Sequence, residues 1–153
     1  MPKRTTHENA SCPVARPLDL IGDGWTLLII RDALEGVTRF GQFQKNLGLA
    51  KNILSARLHA LVSNGMLETI PATDGSSYQE YVLTEKGRAL FPVIAALRQW
   101  GDAYLFDDDE VRARLVDRES GRPVARVEVL AEDGRILGPE TTAVTMAAGR
   151  PAG

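Results

Sequence analysis

The apolar period of this chain changes sharply near residue 65. Before that point Leu54, Leu58 and Leu61 recur at i, i+4 and i+7 within "GLAKNILSARLHALVSNGML", the spacing of one helix face. After it, "MLETIP" and "QEYVLT" bracket the turn-rich "ATDGSSY" and predict a two-stranded hairpin with its tip at Asp74-Gly75. Asn64-Gly65 marks the change as a helix stop. A helix from Ala50 to Ser63 that runs directly into a hairpin requires an architecture in which strands pack beside helices.

The flanking segments fill in the order. Pro13 to Ile21 reads as a short helix with Leu18 and Ile21 as its buried residues, and Pro17 inside it either delays or kinks the start. Gly22-Asp23-Gly24 breaks the chain, with Asp23 as the N-cap of a largely buried helix, "WTLLIIRDALEG", that stops at Gly36. Thr38 caps a third helix, Arg39 to Leu47, whose Phe40, Phe43 and Leu47 are spaced i, i+3, i+7; Gly48 ends it. Beyond the hairpin, Thr84 caps a long helix reaching about Phe106, with Pro92 as a kink or as its true start. Weak alternation over 111–138 around Glu132-Asp133-Gly134 predicts a second, small hairpin. The organisation expected is a tail over 1–11, a main domain over 12–106 and an extension over 107–153 whose last dozen residues are frayed.

Composition narrows the function classes. One cysteine, Cys12, and two histidines are a poor supply of metal ligands, and no metal-site spacing is present; no cofactor is expected. No apolar run approaches the roughly 20 residues that span a bilayer, and the N-terminus lacks a signal-peptide apolar region, so a cytoplasmic protein with no membrane partner is expected. A Cys nucleophile would have only His7 or His59 as its base, and no phosphate loop, carboxylate pair or triad motif appears, so an enzyme is not expected. The net charge of −2 hides an asymmetry: no acid lies between Glu35 and Glu68, where Arg39, Lys45, Lys51 and Arg57 stand, while residues 101–153 hold eleven acids against seven bases. An acid-free window suits a polyanion-binding surface, because phosphates repel carboxylates and attract Lys and Arg.

Three compact helices followed by a hairpin give an α+β, mainly α, winged helix-turn-helix, with a long C-terminal dimerisation helix and a small β-hairpin extension. Arg39–Leu47 and Ala50–Ser63 are then its two DNA-proximal helices, the second entering the major groove of double-stranded DNA. Ser55 and Ala56 keep that helix narrow, and Asn52 can pair bidentately with adenine. Lys51, Arg57 and Arg39 are the expected phosphate contacts. Leu90, Ile94, Leu97, Trp100 and Tyr104 give the long helix more apolar surface than one small domain can cover, which predicts a homodimer reading an inverted repeat.

The same residues carry a family resemblance. "CPVARPLDLIGDGWTLLIIRDALEG", "RFGQFQKNLGLAKNILSARLHALVSNGML" and "EYVLTEKGRALFPVIAALRQWGD" together resemble the HxlR-type winged helix-turn-helix transcriptional regulators over residues 12–104. The resemblance implies a prokaryotic homodimeric regulator, with repression expected. The N-terminal helix, through Leu18, and the long helix would build the dimer. The wing departs from the family pattern: no basic residue lies between Thr69 and Thr84, which leaves Ser76, Ser77 and Tyr78 as phosphate donors.

Other readings stand beside these. A winged helix used only for protein contacts is the alternative to DNA binding, and would not need the acid-free window. Trp25 and Trp100 read first as core and dimer packing, and second as an aromatic wall for a small-molecule effector. Cys12 precedes Pro13, so a helix starting there would place the thiol at its N-cap and favour the thiolate, with Lys3, Arg4 and Arg16 close in sequence. Some HxlR-type relatives resemble this arrangement and use such a cysteine as a redox or electrophile sensor, which makes Cys12 the candidate here; the other reading is an unreactive thiol packed under the tail.

Overall fold

The computed structural model describes residues 6–148, which form two compact units, one through Ala95 and one from Ala96 onward. In the first unit the order is α1 (Ala15–Ile21), α2 (Thr26–Leu34), α3 (Phe40–Leu47), α4 (Lys51–Ser63), β1 (Leu67–Pro71), β2 (Gln79–Leu83) and α5 (Glu85–Arg88). Helix α6 (Phe91–Tyr104) starts in the first unit and continues into the second, which also holds β3 (Val129–Leu130), β4 (Ile136–Leu137) and a 3-10 turn at Pro139–Thr141.

The core of the first unit is the set of positions that the helical spacing selects. Ile29 and Ile30 of α2, Phe43 of α3 and Leu54, Leu58 and Leu61 of α4 are all buried, joined by Leu49, Met66, Leu67 and Ile94. The N-cap of α2 is Trp25 and not, as expected, Asp23, but Asp23 still serves the helix start: its Oδ2 accepts from the backbone N–H groups of Trp25 and Thr26, each at 3.0 Å. Asp32, on the inner face of α2, is buried; Arg31 donates to its Oδ1 from Nε and Nη2, and Asn46 of α3 donates to its Oδ2 at 3.4 Å. This carboxylate therefore ties α2 to α3 beside the apolar cluster.

The wing is an antiparallel pair, with Leu67 opposite Leu83 and Pro71 opposite Gln79. Gly75 takes φ +76° at its tip, where the Asp-Gly step predicted the turn. The outer edge of β2 reaches back to the chain before α3, since the Tyr81 N–H donates to the Thr38 carbonyl at 2.7 Å. Thr38 is thus a wing contact and not the cap of α3, whose N-cap is Arg39.

Three expectations change. The N-terminal helix begins at Ala15, which puts Pro17 in its first turn, where a missing N–H costs no helix bond; α1 has no buried residue, and Leu18 is half exposed. The long helix after Thr84 is two helices. Thr84 caps α5, accepting from the Gly87 N–H at 3.2 Å, and the chain restarts at Phe91 with Pro92 as the second helical residue. Proline is tolerated in that first turn and disfavours helix immediately before it. The C-terminal hairpin forms around Gly134, at φ +88°, but with strands of only two residues each.

In the second unit the side chain of Gln99 on α6 acts like a piece of strand. Its Nε2 donates to the Ala125 carbonyl at 3.0 Å, and its Oε1 accepts from the Val127 N–H at 2.7 Å. Arg112 pairs with Asp102 and lies over the Phe106 ring, 5.2 Å from its centroid. Two polar clamps therefore hold the extension against this part of α6.

Candidate nucleic-acid interface

Helices α3 and α4 meet through a tight turn that depends on Gly48. Gly48 adopts a left-handed conformation, φ +64°, and its N–H bonds the Gln44 carbonyl at 2.9 Å, while Leu49 turns into the core. Leu54, Leu58 and Leu61 then hold α4 against the core, and Lys51, Asn52, Ser55, Ala56 and His59 are exposed. None of the Lys51, Asn52, Ser55 or His59 side chains has a hydrogen-bond or ion-pair partner among the described residues. The face is narrow, polar and free to take a ligand. Ile53, 42% exposed in the first turn, was not singled out from the sequence; an exposed apolar side chain there suits contact with a thymine methyl.

The far end of α4 is fixed by the segment after the wing. Thr84 Oγ1 donates to the Gly65 carbonyl at 2.5 Å and Lys86 Nζ to the Asn64 carbonyl at 2.6 Å, so carbonyls at the helix C-terminus are satisfied and meet a positive charge. The sequence marked Thr84 only as a cap; its second role became visible once the hairpin brought residue 84 back to residue 65.

The acid-free window does not survive folding intact. Arg57 Nε lies 3.5 Å from Asp23 Oδ2. Partial burial opposes ionisation of Asp23, but bonds from the Thr26 hydroxyl and the Trp25 and Thr26 amides, with the Arg57 charge, outweigh it and hold the carboxyl below its ordinary value. Arg39 Nη2 lies 2.5 Å from Asp74 Oδ2 and 3.7 Å from Glu80 Oε1, and its guanidinium stands 5.8 Å from the centre of the Tyr78 ring. Of the three expected phosphate contacts, only Lys51 stands without a carboxylate.

The wing residues divide similarly. Ser77 and Tyr78 are exposed, but the hydroxyl oxygen of Ser76 is covered and only its backbone N–H is used, donating to Asp74 Oδ1 at 3.0 Å. Ser76 therefore offers no side-chain donor at the surface. Arg39, Lys51, Gln42, Gln44, Tyr78 and Gln79 line an open groove of about 500 Å³. It runs between the first turns of α3 and α4 and the start of β2. The three glutamines gave no signal in the apolar pattern that located the helices.

This helix-turn-helix, with its hairpin wing and the exposed polar face of its second helix, matches the HxlR-like helix-turn-helix family model over residues 20–109. The chain belongs to the HxlR-like helix-turn-helix family. It is similar to Rv3095, an uncharacterized HTH-type transcriptional regulator of Mycobacterium tuberculosis, with 50% identity over 92 residues. That match covers 60% of this chain and 58% of the mycobacterial protein, so the chain spans little more than half the length of that relative. Among solved structures it is similar to PA1607, described as a candidate transcription factor, at 61% identity and TM-score 0.89 over 94% of this chain and all of that one. It is also similar to the redox regulator HypR in its oxidized form, at 29% identity and TM-score 0.55 over 60% of this chain and 96% of that one.

Within this HxlR-like chain the expected dimer residues fall into two groups. Ile94 is buried in the first unit's core and Leu90 packs against the same cluster, so neither stands on a free face. Leu18 of α1 is exposed, as are Leu97, Trp100 and Tyr104 on the part of α6 in the second unit. The Trp100 and Tyr104 rings lie 5.6 Å apart and line an open groove of about 750 Å³ together with Val124 and Val127. Trp25 is accounted for by packing against the first unit's core.

Cys12 is exposed, one turn before α1, and its Sγ accepts from the Ala15 N–H at 3.4 Å. Bonds from the Ala15 and then the Val14 amide lower the thiol pKa from its usual value. Arg16 turns away, donating to the Ala10 carbonyl, and Lys3 and Arg4 lie outside the described residues. Among the described residues no cluster of His, Cys, Asp and Glu could hold a metal ion, and no helix is long and apolar enough to cross a membrane.

Proposed function

We propose that this chain is a cytoplasmic transcriptional regulator, a repressor that binds an inverted repeat in double-stranded DNA as a homodimer. The observation that carries the reading is the exposed, unpartnered face of α4, with Lys51, Asn52 and Ser55, presented by a helix-turn-helix of the HxlR-like family. Asn52 and Ser55 are the base-edge contacts, with Ala56 allowing close approach; Lys51 and Arg57 take phosphates. Arg39, Ser77 and Tyr78 border the path of the backbone. Leu97, Trp100 and Tyr104 supply one apolar surface for the second copy and Leu18 of α1 another; a dimer reading an inverted repeat holds its two recognition helices about 34 Å apart.

Capture of genomic fragments by the purified protein, followed by titration of the enriched sequence over a salt series, tests the reading. A DNA-binding regulator shows a steep fall in affinity with salt and a marked preference for the captured sequence. A winged helix serving only protein contacts shows neither, and that outcome would replace this reading with the alternative. The groove beside Trp100 and Tyr104 supports a small-molecule effector as a further feature, on a surface that the partner copy would share.

A further inference from the structure

The wing of this protein carries no base, yet its tip grips one. Asp74 Oδ2 accepts from Arg39 at 2.5 Å while its Oδ1 accepts from the Ser76 N–H at 3.0 Å, so the carboxylate is aimed by its own turn. Glu80, buried on β2, is held by the Thr73 N–H and hydroxyl at 3.0 and 3.1 Å and adds a second negative charge 3.7 Å from the same guanidinium. The Tyr78 ring closes the third side. Three residues of the wing thus engage one cation that belongs to the N-cap of α3.

That cation borders the groove where a phosphate strand would run. Of the other polar side chains lining it, Gln42 donates to Asn46 Oδ1 at 2.8 Å and Gln44 to the Leu49 carbonyl at 3.3 Å. Lys51 is the remaining cation. A carboxylate pointed at Arg39 in this place has the charge and the paired oxygens of a phosphate. We propose that Asp74 is an internal phosphate surrogate that occupies Arg39 and suppresses binding to DNA of arbitrary sequence. This rests on the α4 reading above and adds a specificity-determining residue to it. Between two exposed partners the pair itself contributes little stability, so a well-seated duplex can displace it. A poorly seated duplex gains one phosphate contact only by stranding Asp74 beside its own phosphates, and gains little.

Counterion release makes the proposal measurable. In the wild-type protein, placing Arg39 on a phosphate frees one DNA counterion but leaves Asp74 to recruit a cation, so Arg39 adds little to the salt slope. Asp74→Asn keeps an oxygen for the Ser76 amide and removes the charge. The full chain is titrated with a mixed-sequence duplex and with the captured duplex over a salt series, as wild type, Asp74→Asn, Arg39→Ala and the double variant. Asp74→Asn is expected to bind the mixed-sequence duplex roughly tenfold tighter, to steepen its slope by about 0.9, and to narrow the preference for the captured duplex. The double variant is expected to have the slope of Arg39→Ala alone. Asp74→Asn binding like wild type or more weakly, or the same gain appearing without Arg39, would overturn the proposal while leaving α4 as the reader. A wild-type protein with no salt-dependent DNA binding would overturn both.

Discussion

Gly87 lies so close to Met66 that a β-carbon on the glycine would sit 2.1 Å from the Met66 carbonyl oxygen and 2.9 Å from Cδ2 of Leu83. Gly87 is buried at the start of the segment that closes the wing onto the end of α4, and its own N–H is taken by Thr84. The near contact is with backbone, which cannot swing aside as a side chain would. Gly87→Ala is expected to destabilise the protein by about 1–3 kcal/mol, as overpacking does, even though alanine is the better helix former. Urea unfolding followed by circular dichroism checks this; an unchanged midpoint would show that the wing base is free to shift.

Asp32 presents the opposite situation, a buried charge that is well supplied with donors. Replacing it with alanine leaves Arg31 and Asn46 without their shared acceptor and removes the polar link between α2 and α3. Breaking such a pair from one side costs about 3–5 kcal/mol when both partners are buried, and Arg31 is one-third exposed, so the expected loss lies below that range. The same urea experiment measures it, and Arg31→Ala is expected to cost more than Asp32→Ala, because it leaves the buried carboxylate with only the neutral Asn46 amide at 3.4 Å as a side-chain donor.

Much of this architecture was legible because it is local. The Leu54, Leu58, Leu61 spacing located α4 and its buried face, and Asp74-Gly75 and Asp133-Gly134 located both hairpin turns, since each depends on residues within a few positions. The charge pattern was misleading for the converse reason. Arg39 and Asp74 are 35 residues apart, and Arg57 and Asp23 are 34 apart by number (57 − 23); they meet only after the wing and α2 have packed. Apolar periodicity likewise located the face of the long helix but could not tell which residues the chain covers itself. Ile94 is covered by the first unit's core, whereas Leu97, one turn on, is half exposed.

Asn52 is expected to act on sequence preference and not on folding, because its side chain is exposed and has no hydrogen-bond partner among the described residues. Asn52→Ala should keep the unfolding midpoint of the wild type and relax discrimination at one base pair in each half-site by about 1–3 kcal/mol. Competition between operator variants measures that. Wild-type discrimination at every position would remove Asn52 from the base-reading set.

Leu97→Glu addresses the dimer without disturbing the core, since the side chain is 49% exposed in the single chain. A charge placed in the apolar centre of an interface is expected to weaken association by about 2 kcal/mol or more. Light scattering at micromolar concentration is expected to find a dimer for the wild type and a shift toward monomer for the variant. A wild-type monomer at that concentration would refute the homodimer.

The thiol of Cys12 is exposed, accepts a backbone N–H and has a pKa below the usual value, so its thiolate should be present at lower pH than in an ordinary cysteine. The sign is fixed by the donors: bonds from the Ala15 and Val14 amides favour the charged form, and the rate of alkylation should rise through a midpoint below that of an ordinary cysteine. A lone thiolate just before α1, whose Leu18 belongs to the proposed dimer surface, is the candidate redox sensor. Peroxide would convert it to a sulfenic acid, which condenses with Cys12 of the second copy or with a small thiol and releases water, because the chain has no other cysteine. Either product would burden the start of α1, whose exposed Leu18 is part of the proposed dimer surface, and would alter the separation of the two α4 helices. Operator affinity is therefore expected to change on mild peroxide treatment in the wild type and not in Cys12→Ser. A modified thiol, verified by mass, with operator affinity unaltered would leave Cys12 without a sensing role, whatever its alkylation midpoint.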